Sequence, residues 1–400
     1  MFILRKIYCR VFQTVFRAAL PFLPYRKPKI LPSVADIAKV CQKKKISRVM
    51  IVTDKGIRRL GLTDFLERTL SEHKISYCIY SRTVANPTIW NVEEARRMYL
   101  QHGAQAIIAF GGGSSMDCAK AAGARIVKPR QSVSQMKGLL KIHKKLPLLI
   151  AVPTTAGTGS ETTLAAVITD SKKRHKYPIN DFSLIPHYAV LDYHETLGLP
   201  ADLTATTGMD ALTHAVEAYI GRSTTRETRK MAETAVCLIA RHLKAAYENG
   251  QDKRARRGML RASYYAGAAF TKSYVGYVHA VAHSLGGQYK IPHGLANAVT
   301  LPVVLRLYGP ACEKRLARLA RKTGIADDHV EDRTAARDLI GWIQGLNDQM
   351  GIPRHFPQIR AKDIPTMARH ADREGNPLYP VPMLLDRKGL EQIYHQLKGE

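Results

Sequence analysis

The sequence predicts an α/β domain followed by an all-α domain, on three observations. Between residues 46 and 192, short β-branched runs alternate with helical stretches, the pattern of a parallel sheet with crossover helices. Past Asp192 the strand pattern stops, and the chain reads as helix broken at Pro200, Asn249-Gly250, Pro292, Pro310 and Gly351-Ile352-Pro353. Within that helical half, residues 208–294 hold histidine-bearing segments whose spacing suits a metal site. Four hundred residues exceed what one core usually takes, so the chain is divided into a basic extension (1–30), an α/β domain (31–195) and a helical domain (196–400).

In residues 1–24, Leu4, Tyr8, Val11, Phe12, Val15 and Ala19 fall at helical spacing. Arg5, Lys6, Arg10 and Arg17 interrupt any apolar run long enough to span a bilayer. No small-residue cleavage pattern follows a continuous apolar core, which argues against a secretory signal. A basic amphipathic helix can lie on an anionic membrane surface, or it can pack on the body of the protein or on a second subunit. The sequence leaves both readings open. Residues 47–53 then read as a strand, 57–72 as a helix and 75–80 as a second strand. A turn over 85–88 leads into a helix ending near His102, and 106–110 is a buried strand.

That strand runs into Gly111-Gly112-Gly113-Ser114-Ser115-Met116-Asp117 and a helix through Ala124. Strand, glycines and helix in this order let free backbone N–H groups and the helix dipole hold a phosphate. Three glycines alone are more often a tight turn, and the string is neither a G-x-G-x-x-G nor a Walker motif. A second loop of the same kind, Pro153-Thr154-Thr155-Ala156-Gly157-Thr158-Gly159-Ser160-Glu161, follows the apolar strand 148–152. Two such loops would share the carboxyl edge of one sheet, where open α/β folds bind nucleotides. Asp54, directly after the first strand, is placed to accept hydrogen bonds from an adenosine ribose and to repel the extra phosphate of NADP, favouring NAD; its alternative role is a helix N-cap. In the ordinary fingerprint the acid follows the glycines by about 20 residues, whereas here it precedes them.

The helical half offers Gly208-Met-Asp210-Ala-Leu-Thr-His214, then His279-Ala-Val-Ala-His283, then His293-Gly294. Positions four apart share a helix face, so Asp210 sits over His214 and His279 over His283. Nitrogen and oxygen donors without a thiolate suit a divalent transition ion, iron(II) or zinc. Such pairs also arise by chance on amphipathic helices. The small residues Gly276, Ala280, Ala282, Gly286 and Gly287 around these histidines let backbone and ligand approach closely, which favours the metal reading.

The balance of 61 basic against 33 acidic residues, a net of +28, favours anionic ligands and surfaces. The basic residues are scattered, and no zinc-finger or RNA-recognition signature accompanies them, so no specific nucleic-acid partner is expected. Cys9, Cys41, Cys78, Cys118, Cys237 and Cys312 are far apart and form no Cys-x-x-Cys pair, which points to reduced thiols and a cytoplasmic setting.

These motifs, in this order, resemble the iron-containing (group III) alcohol dehydrogenases: Gly111 through Asp117-Cys-Ala-Lys120, Pro153 through Glu161, Gly208 through His214-Ala-Val-Glu217, and Gly276-Tyr-Val-His279 through His293-Gly-Leu-Ala-Asn-Ala298. The resemblance covers roughly 46–397 and leaves the first 30 residues outside. It implies a dehydroquinate synthase-like architecture with metal and nicotinamide in a cleft between the domains, and a homo-oligomer, dimer or higher. It also implies Asp210, His214, His279 and His293 as metal ligands, where spacing alone selects His283 instead of His293. His283 then faces the substrate, with a role in proton relay. On the cofactor side the matching positions are Asp54, Asn86, Gly112, Gly113, Ser114, Asp117, Thr154, Thr155, Thr158 and Lys176. His187, Tyr193 and the basic stretch 222–229 depart from the usual pattern.

The implied reaction is reversible hydride transfer between a small alcohol or aldehyde and NAD. An alcohol is too weak an acid to lose its proton at neutral pH, and a divalent cation lowers that cost. Polyol, hydroxyacid or glycerol-phosphate dehydrogenation on the same fold is the alternative. An anionic substrate would need basic cavity residues, for which Lys272 is the candidate. A non-catalytic membrane- or nucleic-acid-binding protein that kept the fold is a further alternative, against which the intact ligand set speaks.

Overall fold

The protein is described by a computed structural model covering residues 2–172 and 175–400. Met1, at the head of the expected extension, lies outside the described residues. The chain folds into two compact units, Pro24–Leu199 and a second made of Met1–Leu23 with Pro200–Glu400. The first 23 residues thus belong to the helical unit instead of forming a separate extension. The division falls four residues after the expected boundary of 195/196, because a short 3-10 turn at Tyr193–Thr196 follows the last strand and Pro200 starts the next helix.

The α/β unit runs β1 (Lys29–Leu31), α2 (Asp36–Lys43), β2 (Arg48–Asp54), α3 (Lys55–Arg59), α4 (Asp64–Glu72), β3 (Ser76–Thr83), α5 (Ile89–His102), β4 (Ala106–Gly111), α6 (Gly113–Val127), β5 (Gly138–Leu139), β6 (Leu148–Pro153), β7 (Ala165–Asp170), β8 (His175–Asn180) and β9 (Tyr188–Val190), with α1 (Phe2–Ala19) preceding it in the chain. Six parallel strands form one sheet in the order β1-β9-β6-β4-β2-β3. Side chains alternate across it. Met50, Val52, Ile107, Ala109, Leu149 and Ala151 pack in one apolar core with Val92 and Ala95 of α5 and Met116 and Ala119 of α6. Val49, Ile51, Ile108, Phe110, Ile150 and Val152 pack in another with Ile37 and Cys41 of α2 and Leu66 and Leu70 of α4. A sheet covered on both faces explains why its strands read as nearly continuous apolar runs.

Some elements depart from expectation. The single helix over 57–72 is two, because Gly61 takes φ +65°, a left-handed turn that ends α3 before α4 begins. The second strand extends to Thr83 instead of ending at Tyr80. Strands β1 and β9 at one end of the main sheet and the small sheet β5-β8-β7 were not expected. Strands β1 and β9 are three residues long, too short for a period to show, and Pro178 inside β8 argues against a strand there.

The helical unit follows with α7 (Ala201–Ile220), α8 (Arg226–Glu248), α9 (Lys253–Ser273), α10 (Tyr277–Tyr289), α11 (His293–Tyr308), α12 (Glu313–Thr323), α13 (Asp332–Gln349), α14 (Ile364–Gly375) and α15 (Arg387–Lys398). The last three turns of α7 are wholly buried, so that helix is the axis on which the others pack. Helix α1 docks on this unit. Arg5 pairs with Asp372 at 2.7 Å, Arg10 donates to the carbonyls of Val381 and Pro382, and Gln13 donates to those of Pro377 and Tyr379. Phe16 meets the Tyr274 ring edge-on at 5.1 Å. Among the described residues no single helix is long and apolar enough to cross a membrane.

His187 closes the gap between β6 and β9. Its backbone N–H donates to Leu149 O (2.8 Å), and its ring Nδ1 accepts from Leu149 N–H (3.1 Å). Burial, then repulsion from Arg26, Lys145 and Lys44, pushes its pKa down to about 4 from 6.5. The unfolded chain therefore binds a proton at this site between pH 6.5 and 4 that the folded chain refuses, so the stability is present above pH 6.5 and is lost as pH falls through this window. Denaturation midpoints measured from pH 7 down to pH 4 should fall less steeply in His187→Gln than in the parent. Parallel curves would show that His187 does not set the slope.

Candidate metal centre and nucleotide loops

Helix α7 presents Asp210, His214 and Glu217 at steps of four and three, one stripe along a buried helix. Helix α10 presents His279 and His283, and α11 begins at His293. The start of α11 lies directly on the α7 backbone: a Cβ at Gly294 would stand 2.4 Å from the Thr206 carbonyl oxygen. Only glycine permits that approach, and it brings His293 Nε2 to 3.5 Å from Asp210 Oδ1. One donor atom from each of Asp210, His214, His279 and His293 lies within 4.8 Å of all the others. Asp210, His214 and His279 are buried, and His293 is partly exposed.

The donors fit a divalent cation. Asn297 Nδ2 stands 2.7 Å from Asp210 Oδ1, 3.3 Å from His279 Nε2 and 3.1 Å from His293 Nε2, so three lone-pair atoms face one amide with two hydrogens. Three imidazole nitrogens and one carboxylate oxygen, with no thiolate, are the ligand chemistry of iron or zinc. The His214 ring is clamped between Phe270 (4.1 Å, 13°) and His279 (4.6 Å, 23°). Burial, then the neighbouring histidines His214, His293 and His283, holds the His279 pKa well below its ordinary value, which keeps the ring neutral and its lone pair available.

Two carboxylates that sequence reasoning passed over orient these rings. Glu217, fully buried on α7, accepts from His279 Nδ1 (2.6 Å) and from the backbone N–H groups of Gly276 and Val278 (2.8 and 2.9 Å). It therefore caps α10 and fixes the His279 tautomer, leaving Nε2 for the metal. Its place three residues after His214 was the available signal. Glu374 of α14 accepts from His283 Nδ1 (2.6 Å) and from the Tyr379 hydroxyl (2.7 Å). Nothing in the local sequence marked it, since it lies 91 residues from its partner. His283 stacks on His293 with ring centres 5.1 Å apart but is not one of the four gathered donors.

In the α/β unit the connection from β2 runs to one side of the sheet and that from β4 to the other, which makes the carboxyl ends of β2 and β4 the crevice for a nucleotide. Asp54 ends β2 and reaches that crevice, 3.7 Å from where a Cβ at Gly111 would stand. Its other oxygen caps α3 by accepting from Ile57 N–H at 3.0 Å, the alternative role open to it from sequence. This side-by-side pairing of β2 and β4 explains how an acid before the glycines can serve. Gly112 precedes α6, and Gly113 and Ser114 open it. The second loop lies against the first: Thr154 N–H donates to Gly111 O, and Cβ atoms at Gly112 and Gly113 would stand 3.5 and 3.2 Å from Thr155 and Thr158. Asn86 joins the group through its N–H to Ser114 Oγ (3.3 Å) and its Oδ1 to Lys176 Nζ (2.6 Å).

Asp117 is partly buried, with its oxygens accepting from Ser160 Oγ and Val167 N–H, both at 3.0 Å. It ties the second loop to β7. Lys120 completes that tie: wholly buried, its Nζ lies within 3.0 Å of the Ser160, Thr163 and Ala165 carbonyls and of the Ser160 and Thr163 hydroxyls. Lys272, the candidate for an anionic substrate, pairs with Glu227 at 3.0 Å.

A family profile described as iron-containing alcohol dehydrogenase matches residues 32–193, and that family's C-terminal profile matches 204–397. The chain belongs to the iron-containing alcohol dehydrogenase family. It is 36% identical to the 1,3-propanediol dehydrogenase of Citrobacter freundii over 96% of this chain and 98% of that one. It is likewise 36% identical to alcohol dehydrogenase 4 of Saccharomyces cerevisiae, over 85% and 88%. A crystal structure of a 1,3-propanediol oxidoreductase superposes with a TM-score of 0.89 at 35% identity, covering 93% of this chain and 99% of that one. NAD and a divalent metal are the family's cofactors.

Replacing Glu217 by Gln exchanges an acceptor oxygen for an N–H₂ that faces donors. Affinity for the divalent metal, read by competition with a chelator, should drop roughly 10- to 100-fold. Unchanged affinity would show that the carboxylate does not act through His279. Lys120→Met should strand three carbonyls and lower stability by about 3 kcal/mol or more, read by denaturant unfolding. A loss within experimental error would relieve Lys120 of that role.

Proposed function

We propose that Asp210, His214, His279 and His293 hold the divalent metal of this NAD-linked alcohol oxidoreductase, and that His283, steered by Glu374, handles the proton. The carrying observation is the gathering of one donor atom from each of four residues on three helices within 4.8 Å. Bound there, the metal acts as a Lewis acid, easing loss of the hydroxyl proton from an alcohol or polarising the carbonyl of an aldehyde.

The protein's own groups do the rest. Glu217 holds His279 in the tautomer with a free Nε2. The Glu374 carboxylate engages Nδ1 of His283, which leaves Nε2 of a partly exposed ring to take the alcohol's proton or return it to the aldehyde's oxygen. In the α/β unit, backbone N–H groups of 112–114 at the start of α6 face the cofactor's phosphates, with the hydroxyls of Thr154, Thr155 and Thr158 beside them. Asp54 favours a ribose hydroxyl over a 2′-phosphate, hence NAD over NADP.

A small neutral alcohol or its aldehyde is the substrate class this supports. Lys272, the candidate for a hydroxyacid or a phosphorylated substrate, is paired with Glu227.

Metal analysis of anaerobically purified protein, with NADH absorbance followed over short alcohols, diols and aldehydes, tests the scheme. His279→Ala should lose metal and turnover together. His283→Ala and Glu374→Gln should keep the metal and lose roughly 10²- to 10⁴-fold in turnover, the usual contribution of a positioned acid–base group. Full turnover by His279→Ala protein without metal would refute it.

A further inference from the structure

Helix α1 is apolar on two faces. Cys9 and Leu20 are buried and Phe12 and Phe16 partly buried along the side that docks on Tyr274 and residues 377–382. Around the helix from that side, Leu4, Ile7, Tyr8, Val11 and Val15 recur at steps of three and four and are 72, 55, 59, 57 and 64% exposed. Phe22, just beyond, is 88% exposed. Among the described residues these are six of the fifteen large exposed apolar side chains, found within 22 of 400 residues. Scattered single exposures need no explanation, but a contiguous stripe does. The family profile begins at residue 32, so α1 lies outside the residues it matches.

A basic edge runs beside the stripe. At 100° per residue, Lys6, Arg10 and Arg17 share one flank of α1. Arg222, Arg229 and Arg315 of the same unit crowd onto it. Burial, then repulsion from Arg229, Arg222 and Arg17, lowers the Arg315 pKa, and burial and then Arg222 do the same to Arg10. No acidic residue occurs in the sequence before Asp36, and the acid that α1 meets, Asp372, is taken by Arg5 on the docked side. Where stripe and edge meet, Lys6, Ile7, Arg10 and Val11 line a shallow apolar groove of about 450 Å³ with Pro382 and Leu384.

We propose that α1 seats this enzyme on an anionic lipid bilayer, the Leu4–Val15 stripe entering the boundary between headgroups and acyl chains and the arginine edge meeting lipid phosphates. Apolar residues flanked by cations are what an interfacial helix needs, and arginine suits phosphate. A second copy docking on the same face would bring Lys6, Arg10 and Arg17 of both chains together, so the charge pattern opposes that occupant. A nucleic acid would meet the arginines but leave the stripe in water.

The test floats the full-length, metal-loaded enzyme with vesicles of phosphatidylcholine alone or mixed with phosphatidylglycerol. The parent should float with the mixed vesicles only, and high salt should weaken this. Val11→Asp with Val15→Asp should lower the bound fraction roughly tenfold or more, and so should Arg17→Glu. These positions belong to neither the metal centre nor the nucleotide loops, so NADH-linked turnover should stay at the parent's level in both variants. Equal flotation of parent and variants, flotation with neutral vesicles alike, or no flotation at all would overturn the proposal. So would a fall in native mass on Val11→Asp with Val15→Asp in the absence of lipid, which would assign the face to a second copy.

Discussion

Lone pairs converge on one point in the helical unit, and the rest of that unit is arranged to tolerate them. Asp210, His214, His279 and His293 bring electron-rich atoms together where little water reaches, a grouping that loses free energy unless a cation or hydrogen-bond donors answer it. The Asn297 amide supplies part of that answer. Glu217 makes the cluster directional by taking the proton side of His279 and the N–H groups at the head of α10 with one carboxylate. The same side chain thereby sets both the position of a helix and the tautomer of a ligand.

The nucleotide-binding unit follows a different constraint, the order of strands. Because β2 and β4 are neighbours whose onward connections diverge, their carboxyl ends open a crevice that neither loop could form alone. Buried polar links hold its walls. Lys120 and Asp117 fasten the second loop and β7 to α6, and Thr154 N–H fastens that loop to Gly111.

Helix α1 shows how the strong basic balance of the chain is spatially used. Most of the 61 basic residues are dispersed, but those around α1 gather against one another beside an apolar stripe. None of these residues is among the metal donors or in the nucleotide loops.

The architecture was legible in the sequence, because parallel strands buried on both faces and long helices leave strong periodic signals, and the family resemblance of the motif strings implied all four metal donors. The sequence also placed the two glycine- and hydroxyl-rich loops at strand ends. Contacts between residues distant in the chain were beyond it. Spacing along one helix pairs His279 with His283, whereas only the close approach of α11 to α7 at Gly294 brings His293 to Asp210 and leaves His283 for Glu374, 91 residues away. Asp117 stood in a glycine-rich motif, and its bonds to Ser160 and Val167, 43 and 50 residues on, could not be read there. Periodicity records which side of an element is buried, but which side chains then meet depends on how closely two backbones can approach, and that is settled only when the chain is packed.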